Sequence, residues 1–141
     1  LTGWLLTCLK ELHHTNGKPL VKIYGPSDTK QRGGAVTVNF FNPEGIPIDH
    51  RWIEEKASAS KISLRTGCFC NPGAGELALH ISSDELTSCF NRPDHEQRLT
   101  YDEVRLCLNT KASGAVRISV GLVSNYADVQ HLLDFLATLV N

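Results

Sequence analysis

Two thiols separated by one residue, in a run rich in turn formers, are the part of this sequence best suited to chemistry. The run is Leu64-Arg65-Thr66-Gly67-Cys68-Phe69-Cys70-Asn71-Pro72-Gly73-Ala74-Gly75. It reads as the end of a strand passing into a Gly/Pro-rich loop. A thiolate is the nucleophilic form of cysteine, and Arg65, with backbone N–H groups freed by the glycines, is placed to lower the pKa of Cys68 or Cys70. The bland alternative is that both cysteines are small packing residues; the flanking turn residues argue against it. Zinc is a weak option, because the pair lacks two-residue knuckle spacing and no second Cys or His pair lies at finger-like distance. No metal site is expected. A Cys68–Cys70 disulfide is sterically awkward and more plausible as a transient redox state than as a staple.

The second candidate is Arg117, within Gly114-Ala115-Val116-Arg117-Ile118-Ser119-Val120-Gly121. Strand side chains alternate, so Arg117 and Ser119 point away from Val116, Ile118 and Val120, as Arg65 points away from Ile62 and Leu64. Both arginines can then face one cleft. A guanidinium on a rigid strand suits bidentate binding of a carboxylate, a role lysine fills less well; its ordinary alternative is a surface salt bridge. His13 and His14 are placed at a helix end, where they would favour its negative pole. Trp4 and Trp52 read as packing residues.

The elements that must hold these groups follow from periodicity and caps. Trp4, Leu5, Cys8, Leu9 and Leu12 recur at helical spacing, with Asn16-Gly17 and Pro19 as the stop. Leu20 to Tyr24 is a short strand, and Ala35 to Phe41 alternates Val36, Val38 and Phe40 against Thr37, Asn39 and Phe41. Asp49 caps a helix running to about Ala59, with Ile48 and Ile53 as a hydrophobic staple. Ile62 to Arg65 reads as a strand. Two short helices follow, opened by the capping boxes Ser82/Glu85 and Thr100/Glu103; they read as a helical insertion at about 75–114. A strand at Ala115 to Val120 and a final helix capped near Asn125, with Val129, Leu132, Leu133, Leu136 and Val140 on one face, close the chain. The spacing leaves no room for a crossover helix at every step. The class expected is therefore α+β: a mostly antiparallel sheet of about four strands with helices packed on one face.

Over the whole chain, 141 residues with 41% apolar and 21% charged describe one globular domain. A net charge of -1 with scattered Lys and Arg excludes a nucleic-acid footprint, and no stretch has the apolar length to span a bilayer. The 5 cysteines, an odd number without a secretory signal, argue for reduced thiols and a cytoplasmic setting. With no methionine and an opening that already reads as helix, the chain is expected to be part of a longer polypeptide.

Arg65-Thr66-Gly67 followed by Cys70 resembles the mobile loop of cysteine desulfurases, and Arg117-Ile118-Ser119 with Asn125 and the last helix resembles their substrate-carboxylate arginine and final helix. Cys68-Phe69-Cys70-Asn71-Pro72-Gly73-Ala74 is closer to molybdenum cofactor sulfurases than to ordinary desulfurases. The Ile23-Tyr24-Gly25 turn, Phe40-Phe41-Asn42-Pro43-Glu44-Gly45 and the 75–114 insertion fit that subgroup. The resemblance spans nearly the whole chain. It implies the small C-terminal domain of a class V aminotransferase-like, fold-type I enzyme, part of a homodimer, with pyridoxal phosphate held as a Schiff base on a lysine of a large domain not in this chain. The substrate would be L-cysteine, and sulfur would leave it as a persulfide on the loop cysteine. On this basis Cys70 is the nucleophile, Cys68 an assisting or resolving thiol, Arg117 the carboxylate clamp and Arg65 an electrostatic aid. The molybdenum cofactor is the implied acceptor, and the chain alone is expected to be inactive. The alternatives are an aminotransferase or lyase domain with structural cysteines, and a non-catalytic docking module.

Overall fold

The computed structural model describes residues 1–68, 71–91, 99–109 and 111–141, with six helices and four strands among them. The strands are β1 (Val21–Tyr24), β2 (Ala35–Phe40), β3 (Arg65–Gly67) and β4 (Ala115–Ser119), in one sheet of order β1-β2-β4-β3. Every pairing is antiparallel. The α+β class read from the sequence is therefore the observed one.

Register decides which residues share a face. Ile23 pairs with Val38, Val36 with Ile118, and Val38 with Val116, so these apolar residues cover one side. The helices α1 (Thr2–Glu11), α2 (His50–Ala59) and α6 (Tyr126–Ala137) bury that side. Leu5, Leu6 and Leu9 of α1, Ile53 and Ala57 of α2, and Val129, Leu132 and Leu136 of α6 meet Val36, Val38 and Phe40 in one core. Ile48 packs against the same cluster as Ile53, as a hydrophobic staple requires.

Several local boundaries differ from the sequence pattern. The first helix ends at Glu11, well before Asn16-Gly17, because Leu12 turns extended and the chain closes a tight excursion through Leu20 N–H to Leu12 O and the His13–Pro19 bridge. His13 still lies by a helix-end carbonyl, with Nδ1 2.9 Å from Glu11 O. His14 does something different: it is buried, with Nε2 2.8 Å from Phe41 O and Nδ1 accepting from Asn141 N–H, tying the last residue to the end of β2. Ile62 and Leu64 are not in a strand. Lys61 adopts a left-handed conformation after α2 and Ile62 N–H bonds back to Ala57 O, a helix-ending motif that delays sheet entry to Arg65. Trp4 packs on the core and stacks at 5.3 Å from Tyr126, whereas Trp52 is 41% exposed beneath the Lys56 ammonium.

Among the described residues between β3 and β4 are three helices, where the sequence pattern gave two: α3 (Pro72–Leu79), α4 (Ser83–Phe90) and α5 (Tyr101–Cys107). The capping boxes at Ser82/Glu85 and Thr100/Glu103 open α4 and α5 as read. The extra helix, α3, grows from the Gly/Pro-rich run: Asn71 accepts from Ala74 N–H as its N-cap, and Pro72 occupies the first turn, where its missing donor costs nothing.

A thiol-bearing cavity beside a pair of arginines

The second face of the sheet is assembled by the same register. Tyr24 pairs with Thr37, Thr37 with Arg117, and Arg117 with Arg65, so these four residues form one row across all four strands. Directly opposed residues in an antiparallel pair present their side chains on the same side, roughly 5 Å apart at Cβ. The two arginines thus stand side by side, Arg65 exposed and Arg117 half-buried.

Arg65 leads through Thr66, whose hydroxyl donates to Glu54 of α2 at 2.6 Å, to Gly67. Gly67 has φ +113, a conformation strained for any side chain, and it turns the backbone out of the sheet into the thiol loop. Cys68 is exposed and carries a free thiol. Cys70 and its neighbour Phe69 lie outside the described residues. Cys68 borders a cavity of about 470 Å³ whose floor is the second sheet face at Tyr24, Thr37 and Ala115. Its walls come from α3, with Ala78 and Leu79, and from α4, with Leu86. The segment between β3 and β4 therefore does more than interrupt the sheet: it roofs the face that carries the polar row.

The rim beside β4 is fixed by a network the sequence did not reveal. Ser113 Oγ bonds the Tyr101 hydroxyl, which also lies 3.3 Å from Nδ1 of the buried His50. Asn39, buried in β2, donates to Gly114 O at 2.8 Å. A Cβ on Gly114 would lie 2.7 Å from His50 Cε1, so only glycine lets the rim approach the imidazole. Burial pushes the His50 pKa down, favouring the neutral ring. Around it, Asp49 caps α2, binds the Arg51 guanidinium at 2.7 Å and receives Arg105 of α5 at 3.3 Å. The Arg51 hydrogen bond is the main reason the Asp49 carboxyl falls to about 2. Arg51 also reaches Asp102 at 2.6 Å, so α5 is docked on the start of α2.

The expectation that all cysteines are reduced is corrected by the fold. Cys89 at the end of α4 and Cys107 at the end of α5 form a disulfide, their Cα atoms 5.8 Å apart. The two helices lie against each other at these ends, a proximity that cysteine counting could not show. Among the described residues Cys8 and Cys68 have free thiols, with burial pushing the Cys8 pKa up.

Comparison with known proteins gives a consistent answer over almost the full length. The chain is 36% identical over 132 residues to the molybdenum cofactor sulfurase of Arabidopsis thaliana, covering 91% of this chain and 16% of that protein. It is 37% identical over 139 residues to that of Drosophila melanogaster, covering 96% of this chain and 17% of the relative. For Bos taurus the figures are 34% over 139 residues, 96% and 15%. The chain is homologous to one segment of these sulfurases. It spans about 16% of the length of the curated relatives it matches, and no family model matches it. No described helix is long and apolar enough to cross a membrane. Among the described residues no lysine lines the cavity, and Lys10, Lys18 and Lys111 are engaged with the carbonyl oxygens of Ser27, Glu44 and His80.

Proposed function

We propose that this chain is the sulfur-carrying small domain of a pyridoxal-phosphate-dependent sulfurtransferase of the molybdenum cofactor sulfurase kind, with the cofactor lysine in another part of the parent protein. The sulfur of L-cysteine rests on Cys70 as a persulfide before it passes to an acceptor, for which the relatives' name suggests the molybdenum cofactor. Cys68 is the neighbouring thiol able to receive or release that sulfur. Arg117 and Arg65 hold the substrate carboxylate, and the parent enzyme is a cytoplasmic homodimer.

The observation that carries this reading is the placement of the Cys68 loop at the edge of a sheet row in which Arg65 stands directly opposite Arg117. A thiolate needs open access to a sulfur electrophile, and a carboxylate needs a rigid cation pair at a fixed offset from it. Gly67 supplies the turn between the two, so loop and clamp are set by the same strand end. The similarity to sulfurases over 91% of the chain or more supports the same assignment.

The carrier step can be tested on this chain without the cofactor. With a low-molecular-weight persulfide, the loop thiolate attacks the outer sulfur, the donor S–S bond breaks and the donor leaves as a thiolate. Intact mass and peptide mapping should show one added sulfur, about 32 mass units, on Cys70 and lost on reduction. Sulfur spread evenly over Cys8, Cys68 and Cys70, or absent from all, would leave the loop without special thiol chemistry and remove the proposal.

A further inference from the structure

We propose that Ser113 orients ligands in the cavity bordered by Cys68 and that His50 sets its hydrogen-bonding sense. With a neutral imidazole the cavity takes a small, largely apolar molecule presenting an N–H or O–H donor; with a protonated one it takes a molecule presenting an acceptor. The inference concerns what the cavity holds and stands apart from the sulfur-carrier reading of the loop thiols.

Apolar side chains, among them Ala74, Ala78, Leu79, Ile81 and Leu86, line much of the cavity, and its volume of about 470 Å³ suits a small ring-bearing molecule. In such a site a few fixed polar groups decide which ligand binds. Ser113 lines the cavity and is half-buried. Its hydroxyl bonds that of Tyr101 and has no second partner among the described residues, so the rest of its hydrogen-bonding capacity is open to an occupant.

From Ser113 the hydrogen bonds run inward to the Tyr101 hydroxyl and on to Nδ1 of the buried His50 at 3.3 Å. Each hydroxyl has one proton to donate, so the sense of one link fixes the next. Toward a neutral imidazole a phenol donates far better than it accepts. Asp49 does not compete for Nδ1, because its Oδ1 is 3.9 Å away and its carboxylate is engaged by Arg51 and Arg105. Nδ1 of the neutral ring therefore accepts from Tyr101, Tyr101 accepts from Ser113, and Ser113 Oγ offers the occupant lone pairs alone. A protonated ring reverses every link: Nδ1–H donates to Tyr101, Tyr101 donates to Ser113, and the Ser113 proton turns to the occupant. The one proton added comes from solvent.

The groups around His50 put this reversal in mild acid. Burial is the largest influence and carries the His50 pKa below its ordinary 6.5; Asp49 and Glu54 raise it, and Arg51 and Arg105 lower it. Asp102 of α5 is paired with Arg51, and Ser113 and Gly114 bring no charge. Burial also pushes the Tyr101 phenol up, so it keeps its proton throughout.

Two probes that do not titrate test the reversal: indole, which has an N–H donor and no acceptor nitrogen, and indanone, a ketone of similar size with an acceptor alone. Each is titrated onto this chain by NMR at values between about pH 8 and pH 5, while the His50 ring-proton shift reports its protonation. Indole should be favoured at neutral pH, and the ratio of indole to indanone affinity is expected to fall roughly fivefold or more as His50 gains its proton, the worth of about one hydrogen bond. Tyr101→Phe keeps a ring against His50 and Arg51 but breaks the relay, and Ser113→Ala removes the contact; each should make the ratio independent of pH. A wild-type ratio that stays constant while His50 titrates overturns the switch. So does a His50 that stays neutral until the chain unfolds, or a pH-dependent ratio that survives in Tyr101→Phe. Absence of binding by both probes overturns the cavity as a site for such ligands. Persulfide mapping of Cys70 tests the carrier reading separately, and none of these outcomes bears on it.

Discussion

Replacing Asp49 with asparagine separates two things the aspartate does at once. Its carboxylate caps α2 by accepting Arg51 N–H at 2.9 Å, and it neutralises the Arg51 and Arg105 guanidinium groups at 2.7 and 3.3 Å. Asparagine caps about as well as aspartate, so Asp49→Asn keeps the first role and removes the second. The size of the second follows from the carboxyl pKa, lowered from 3.8 to about 2 in the folded protein, with the Arg51 hydrogen bond as the largest cause. Each pKa unit corresponds to about 1.4 kcal/mol, which gives about 2 kcal/mol for this shift. The Asp49 side chain is 15% exposed but that of Arg51 is 45% exposed, so screening trims the expected loss to about 1 to 2 kcal/mol at neutral pH. The sign is that of a depressed carboxylate: the contribution is complete above the unfolded value of 3.8 and disappears as pH falls through the folded value of about 2. Glu85, held near 2 chiefly by Lys111, loses its own contribution in the same window, so the informative quantity is the difference between wild type and variant. Urea unfolding followed by circular dichroism at a series of pH values should show that difference at full size near neutrality and shrinking as pH falls from about 4 to about 2, between the unfolded and folded values. Asp49→Ala should cost about 1 kcal/mol more than Asp49→Asn, for the lost cap. A difference that does not depend on pH, or an asparagine variant as damaged as the alanine one, would refute the assignment of this energy to the arginine pairs.

Two other outcomes follow from the site. Gly114→Ala forces a methyl to within 2.7 Å of His50 Cε1, and should lower stability by about 1 to 3 kcal/mol in the same unfolding assay, as overpacking does; a neutral effect would mean the imidazole moves aside freely. On the proposed function, Arg117→Lys in the full-length protein replaces a two-pronged cation with a point charge, and steady-state kinetics should show KM for L-cysteine raised about tenfold, the loss of roughly one charge-assisted hydrogen bond. An unchanged KM would mean that the carboxylate is held elsewhere.

Much of the fold is written locally. The capping boxes at Ser82/Glu85 and Thr100/Glu103, the Asp49 and Asn125 caps and the alternation along 35–40 all depend on residues within a few positions of one another, and each appears where the sequence puts it. Alternation likewise established that Arg117 turns away from Val116 and Ile118. Where the local pattern failed, another short-range pairing competed with it: the His13–Pro19 bridge ended α1 early, and the turn after Ala57 kept Ile62 out of the sheet. The Gly/Pro-rich run hid α3, because proline at a helix start looks the same in sequence as proline in a loop.

For the candidate site the division is sharper. The sequence by itself determined the chemistry available: a thiol pair next to a turn, two strand arginines, and no metal-ligand spacing. Only tertiary structure decided the geometry, since it is the register of β3 on β4 that sets Arg65 opposite Arg117, and the register of β4 on β2 that extends the row to Thr37. Only packing brought Cys89 to Cys107 and placed His50, Tyr101 and Ser113 together across separations of 51 and 12 residues. The physical reason is that periodicity and caps are properties of neighbouring residues, whereas register and helix docking minimise the free energy of the whole chain and leave no local mark.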